Sequence, residues 1–332
     1  MKILRILLFP IVPIYFLVTW LRNRLYDSGI KPSKSYDFPV ICVGNLSTGG
    51  TGKTPMIEYL VRLLKNQYKI ATLSRGYKRV TKGFLLADEN ANVDTLGDEP
   101  FQFYNKFRSI YVAVDENRQN GISGLRQLSP QPEIILLDDA YQHRKVKAGF
   151  NILLSSYKNL YTKDIVLPTG NLREPKIGAN RANAIIVTKC PNDLGDAEKQ
   201  TIIKQIAPKE HQHVFFSHIA YSDKVVSASE EMPLEAMGNF TLVTGIANAQ
   251  PLVRHFKSKS LDFEHLEYGD HYNFTIKDIE LLEQKDLIIT TEKDYMRLLV
   301  VESLQDKLFY IAIETVIDKS SEFNKLILDF VN

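Results

Sequence analysis

Cysteine is nearly missing from this sequence of 332 residues: Cys42 and Cys190 are too few for a disulfide framework, so a reducing compartment is expected. No group of cysteines and histidines has zinc-ligand spacing. An excess of one charge sign is missing too. Lys+Arg number 41 against 39 Asp+Glu, a formal net charge of +2 that gives no bulk signal for a nucleic-acid partner. No internal repeat or low-complexity tract interrupts the chain. What is present is ordinary for packed protein: 44% hydrophobic and 24% charged residues exclude global disorder. The length fits roughly two domains of about 100–200 residues.

One long apolar run stands out at the start. Residues Ile6 to Leu21 carry no charge and lie between Arg5 and Arg22. As a helix this run reaches about 24 Å, short of the roughly 30 Å of bilayer hydrocarbon, and Pro10 and Pro13 interrupt it. No small-x-small cleavage site follows, against a signal peptide. A core helix is the plain alternative. The preferred expectation is a monotopic anchor over residues 1–28, with Trp20, Lys2, Arg5, Arg22 and Arg24 at the headgroups.

From Pro39 onward short β-rich runs alternate with helix-length segments. Strands are expected at 39–44, 69–74, 109–114, 133–138, 151–156, 184–189, 213–220, 240–247, 262–268, 287–291 and 307–313, with a closing helix at 321–331. This rhythm predicts an α/β fold, a mostly parallel sheet with helices on both faces. A polar passage at 222–238 breaks it, so a domain at 29–221 and a smaller α/β domain at 222–332 are expected.

The strongest local signal is GNLSTGGTGKTP, Gly44 to Pro55, between a β-rich run and an amphipathic segment. That is the strand, glycine-rich loop and helix of a P-loop. Ser47, Thr48, Gly49, Gly50, Thr51 and Gly52 aim main-chain N–H groups at phosphate oxygens, Lys53 reaches the β- and γ-phosphates, and Thr54 holds Mg²⁺. Ser47 stands where the general pattern has its first glycine. The run EIILLDD delivers Asp138 and Asp139 to the carboxyl edge of the sheet, with Asp138 the better metal-side carboxylate by position. A GTPase reading fails, because Thr188-Lys189-Cys190-Pro191 has proline where guanine recognition needs aspartate. Compact polar clusters follow other strands, at 74–77, 97–100, 115–118, 141–144, 172–175 and 270–272, the edge where open α/β sheets bind ligands.

Taken in order, GNLSTGGTGKTP, SRGY, GDEP, DDxxQHR, GNLREP, DHYNFT and TEKD resemble the tetraacyldisaccharide 4'-kinase family of lipid A biosynthesis, from Gly44 to Arg297. The resemblance implies ATP and Mg²⁺ as cofactors and transfer of the γ-phosphate to the 4'-hydroxyl of an acylated glucosamine disaccharide 1-phosphate. It also implies a peripheral enzyme on the cytoplasmic face of the inner membrane, with a lipid substrate and no nucleic-acid partner. By that resemblance Asp98 is the proton acceptor and His271 pairs with it when the domains close. Arg118 and Arg173 are expected on phosphates, Tyr77 and Gln142 at the sugar, and Glu99 beside the metal. Two departures are visible: Ala140-Tyr141 replace Gly-Phe, and Lys78 replaces Gly. A left-handed turn at 140 would shift the loop carrying Gln142 and His143. A membrane-associated P-loop regulatory ATPase, or a soluble small-molecule kinase or ligase, are the competing readings.

Overall fold

The computed structural model describes residue 5, residues 7–270 and residues 272–332. After a 3-10 turn (Phe9–Ile11) comes helix α1 (Val12–Asp27). The first half continues with β1 (Val40–Asn45), α2 (Lys53–Leu64), β2 (Ile70–Ser74), β3 (Leu85–Leu86), α3 (Val93–Leu96), α4 (Asp98–Lys106) and β4 (Tyr111–Val114). Then follow α5 (Arg118–Leu125), β5 (Ile134–Asp138), β6 (Phe150–Ser156), β7 (Ala184–Thr188), α6 (Asp196–Ile206) and β8 (His213–Val226). The second half has β9 (Glu231–Pro233), β10 (Phe240–Thr244), α7 (Gln250–Ser258), β11 (Phe263–Glu267) and α8 (Ile276–Glu283). It ends with β12 (Ile288–Thr291), α9 (Glu292–Leu298), β13 (Leu308–Ile317) and α10 (Ser320–Val331).

Every strand expected from the sequence is present, and all are joined in one sheet of order β11-β10-β12-β13-β8-β7-β6-β1-β5-β2-β4-β3, with β9 beside β8. Pairing is parallel from β8 through to β4 and again from β11 to β13. It is antiparallel where β8 meets β13 and β9, and where β3 meets β4. Strand alternation divides the first half into two cores. Val40 and Cys42 face one layer, while Ile41 and Val43 face Met56, Ile57 and Leu60 of α2 in the other. Two further cores lie on the faces of the second half, around Leu242 with Phe256 and around Val243 with Leu298.

The expected division after residue 221 falls inside β8. That strand pairs with β7 at its start and with β13 from Ser217 to Val226, so a two-stranded ribbon links the two halves. Nor does the second half keep the C-terminus. β13 returns along β8, and Phe323, Ile327 and Val331 of α10 are buried in the core of α2.

α1 is inverted relative to an ordinary surface helix. Its buried residues are Thr19 and Asn23, whereas Ile14, Leu17 and Val18 are 64%, 59% and 61% exposed. Pro13 occupies its first turn, where a missing N–H has no helical partner, so the proline starts the helix instead of breaking it. Among the described residues no helix is long and apolar enough to cross a membrane.

Candidate active site

The carboxyl ends of β1, β2, β5 and β7 meet at one place. β1 runs into the P-loop, which can turn because Gly49 and Gly52 hold φ of 99° and 87°, the left-handed region that glycine enters freely. The loop is braced from three sides. Asn45 donates to Thr51 Oγ1 at 2.7 Å. The GNLREP loop pairs with it through Thr48 N–H to the Asn171 carbonyl at 2.8 Å and Arg173 N–H to the Leu46 carbonyl at 2.7 Å. The end of β7 supplies Thr188 Oγ1 to the Thr51 carbonyl at 2.7 Å, and the next residue supplies Lys189 Nζ to the Gly50 carbonyl at 2.6 Å. α2 begins at Lys53, so the positive end of its dipole points into the loop.

Lys53 Nζ lies 3.6 Å from Asp139 Oδ1, and Arg173 Nη1 holds the same carboxylate at 2.9 Å. Burial works against the charge on Asp139, yet Lys53 and Arg173 hold its carboxyl below the usual range. Asp138 takes the opposite course: burial, reinforced by Asp139, pushes it up to about 7, with Lys53 opposing. Its Oδ2 accepts from Ser74 Oγ at 3.3 Å, while its buried Oδ1 has no hydrogen-bond partner among the described residues. A buried, unsatisfied carboxylate oxygen beside a phosphate loop is a ligand position for a hard cation. Among the described residues no three His, Cys, Asp or Glu side chains gather into a complete cage.

Glu99, the second residue of α4, adds to the negative charge that raises the Asp138 pKa. α4 opens with Asp98 immediately after Gly97, whose φ is 91°. The Asp98 carboxylate is held by Arg297 of α9, through Nε at 3.3 Å and through Nη2. The second half therefore reaches the first at the residue expected to accept the proton. At Lys189 the ammonium pKa is lowered by burial and by Lys53, while Asp270 opposes the shift. Asp270 also lies 3.6 Å from Lys293. His271 lies outside the described residues.

The remaining expected residues separate into three groups. Gln142 is at the site, donating to the Asn45 carbonyl at 2.7 Å and to Glu174 at 3.0 Å. Tyr77 is 62% exposed on the loop after β2. Arg118, expected on a phosphate, is only 2% exposed and donates to the main-chain carbonyls of Asp115 at 2.6 Å and Asp138 at 3.1 Å, while its buried Nε has no hydrogen-bond partner among the described residues. Ala140 causes no strain either, because the left-handed residue of that turn is Asp139, with φ of 47°. Sequence reasoning missed Arg297, Lys189 and the buried Glu174, which takes hydrogen bonds from Gln142, Arg181 and Asn23. Their motifs were visible as TEKD, TKCP and GNLREP, but not the partners.

Over residues 4–332 the chain matches the family model for tetraacyldisaccharide-1-P 4'-kinase, LpxK. A Flavobacterium johnsoniae protein named tetraacyldisaccharide 4'-kinase is 49% identical, covering 100% of this chain and 98% of that protein. One of the same name from Phocaeicola vulgatus is 42% identical, covering 98% and 94%. A crystal structure of LpxK from Aquifex aeolicus in complex with ATP has the same fold, with TM-score 0.80, 30% identity and coverage of 99% of this chain and 100% of that one. A P-loop and its partner motifs at one sheet edge, with full-length matches of this strength, leave one assignment: the chain belongs to the tetraacyldisaccharide 4'-kinase family.

Proposed function

We propose that the chain is an ATP-dependent lipid kinase that phosphorylates the 4'-hydroxyl of a tetraacyldisaccharide 1-phosphate in lipid A biosynthesis. The observation that supports this most directly is the pairing of the P-loop Lys53 with Asp139, next to the buried Asp138 at the carboxyl end of β5. ATP fits the P-loop, whose N–H groups, helix dipole and Lys53 favour a triphosphate. Thr54 and Asp138, with Glu99 near, are the residues that would hold Mg²⁺, and the ion supplies charge neutralisation on phosphate oxygens.

The protein's own work is positioning and proton transfer. Asp98 takes the proton of the 4'-hydroxyl as that oxygen bonds to the γ-phosphorus, the bond to the β-bridging oxygen breaks, and ADP leaves. His271 orients Asp98. Lys53 stabilises negative charge gathering on the phosphoryl oxygens, and Arg173, already beside Asp139, lies where a guanidinium can take a phosphate. Gln142 and Tyr77 shape the sugar site. α1 lays its apolar face in the inner leaflet on the cytoplasmic side of the inner membrane, and the acylated substrate never leaves the bilayer.

The test is a mixed-micelle assay with ATP, Mg²⁺ and the tetraacyldisaccharide 1-phosphate. Phosphorylated lipid is expected from wild type, and Asp98→Asn and Lys53→Ala each lower turnover by at least about 10²-fold. No product under any detergent condition rejects the reading.

A further inference from the structure

α9 contributes more to the site than a surface helix would. It packs against α4, the helix that begins with Asp98, and reaches it at both ends. At one end Glu292 pairs with Lys106, which is also 2.7 Å from Glu58 of α2. At the other, Arg297 engages Asp98 across 199 residues of sequence, Nε on one carboxylate oxygen and Nη2 on the other. Both side chains are largely buried, 9% and 13% exposed. Arg297 is itself oriented: its Nη1 faces Asp294 Oδ1 at 3.4 Å and the Tyr272 carbonyl at 3.5 Å. Asp294 is completely buried and fixed in turn by the Gly245 N–H at 2.8 Å and by Thr291 Oγ1 at 2.7 Å.

We infer that Arg297 is a positioning residue for the proton acceptor, with Asp294 setting Arg297; the inference rests on the reading of Asp98 as that acceptor. A carboxylate on a single bond rotates freely, and a proton acceptor works only when a lone pair points at the hydroxyl. A planar fork that engages both oxygens fixes the carboxylate plane. A simple tether between the halves needs none of this, since the Glu292–Lys106–Glu58 cluster already joins the same helices. The Thr291–Asp294–Arg297 chain gives the TEKDYMR segment a purpose that no ion-pair count explains.

The experiment uses the full-length enzyme in the mixed-micelle assay, with Arg297→Met, Arg297→Lys, Asp98→Asn and Asp98→Asn/Arg297→Met. Arg297→Met is expected to lower kcat by about 10–10²-fold with KM for ATP within about twofold. Arg297→Lys recovers part of this loss, because a point charge replaces half of the fork. Guanidinium ion at non-denaturing concentration speeds Arg297→Met and leaves wild type unchanged. The double variant is no slower than Asp98→Asn alone, as residues acting as one unit are non-additive. Arg297→Met with kcat within twofold of wild type, beside an inactive Asp98→Asn, overturns the positioning role and leaves the acceptor reading intact. An active Asp98→Asn overturns both. A loss in Arg297→Met with no guanidinium rescue and a parallel rise in KM assigns Arg297 to folding and overturns the inference.

Discussion

Gly97 is the residue on which the placement of Asp98 turns. Its φ of 91° and ψ of 162° belong to a region that residues with a Cβ essentially avoid, and a Cβ there would lie 2.8 Å from the Tyr77 carbonyl oxygen. Gly97→Ala is therefore expected to cost about 1–3 kcal/mol of stability and to lower kcat by pushing the SRGY loop and Asp98 apart. Urea unfolding and steady-state kinetics check the two effects, and unchanged values in both would show that the turn relaxes without consequence. The chemistry-bearing residues were legible because each lies in a compact motif after a strand: Lys53 after β1, Asp138 at the end of β5, Asp98 beside Gly97. Arg297 and Lys189 were not, because their partners lie 199 and 139 residues away and no spacing encodes such a pair. Lys78, which stands where the family motif has glycine, has φ of 62°. The substitution is thus absorbed as local left-handed backbone, while the suspected turn at Ala140 carries no such demand.

At the scale of elements, strand positions followed from apolar runs because β1, β2, β5 and β7 are buried on both faces. The same logic explains why the polar passage starts inside a strand. The later part of β8 has only β13, or β13 and the short β9, beside it, and Ile219 to Lys224 are half-buried or exposed, so its sequence turns polar while its backbone stays extended. Helix packing holds a second feature invisible in the sequence: Glu58 of α2, Lys106 and Gln102 of α4, and Glu292 of α9 form one buried cluster. Burial and the neighbouring Glu58 push the Glu292 carboxyl up to about 7, with Lys106 opposing. The folded state then binds a proton between the ordinary glutamate range and about pH 7 that the unfolded chain gives up, so this group's contribution to stability is lost as pH rises through that window. Glu292→Gln should flatten the loss by on the order of 1–2 kcal/mol between pH 5 and pH 8. Urea midpoints of both proteins across that range provide the comparison, and parallel curves would remove Glu292 as the source.

For the whole molecule, the question is how this fold would meet a lipid headgroup, and the packing of α1 bears on it. Tyr15 donates to the Arg173 carbonyl at 2.9 Å and Asn23 to Glu174, so the helix rests its polar side on the GNLREP loop that braces the P-loop. Its apolar side is left to the surroundings, with Phe16, Trp20 and Leu21 exposed beside Ile14, Leu17 and Val18. An exposed apolar face of this kind is the signature of a partner surface, and under the lipid-kinase reading proposed above that surface would be the bilayer. The polar contacts mean that burying α1 in lipid brings the Arg173–Glu174 loop to the headgroups. Ile14→Ser/Leu17→Ser tests this, because both side chains are exposed and their loss leaves the folded core untouched. Removing two such side chains from lipid forfeits about 3 kcal/mol or more, roughly 10²-fold in partitioning. Flotation with anionic vesicles should fall accordingly, kcat/KM on vesicle-embedded substrate should fall with it, and turnover of a short-chain, water-soluble disaccharide 1-phosphate should stay within about twofold of wild type. Equal flotation of the two proteins would rule out α1 as the membrane-facing element, and an equal loss on both substrates would mean that the helix serves the site through its polar contacts alone.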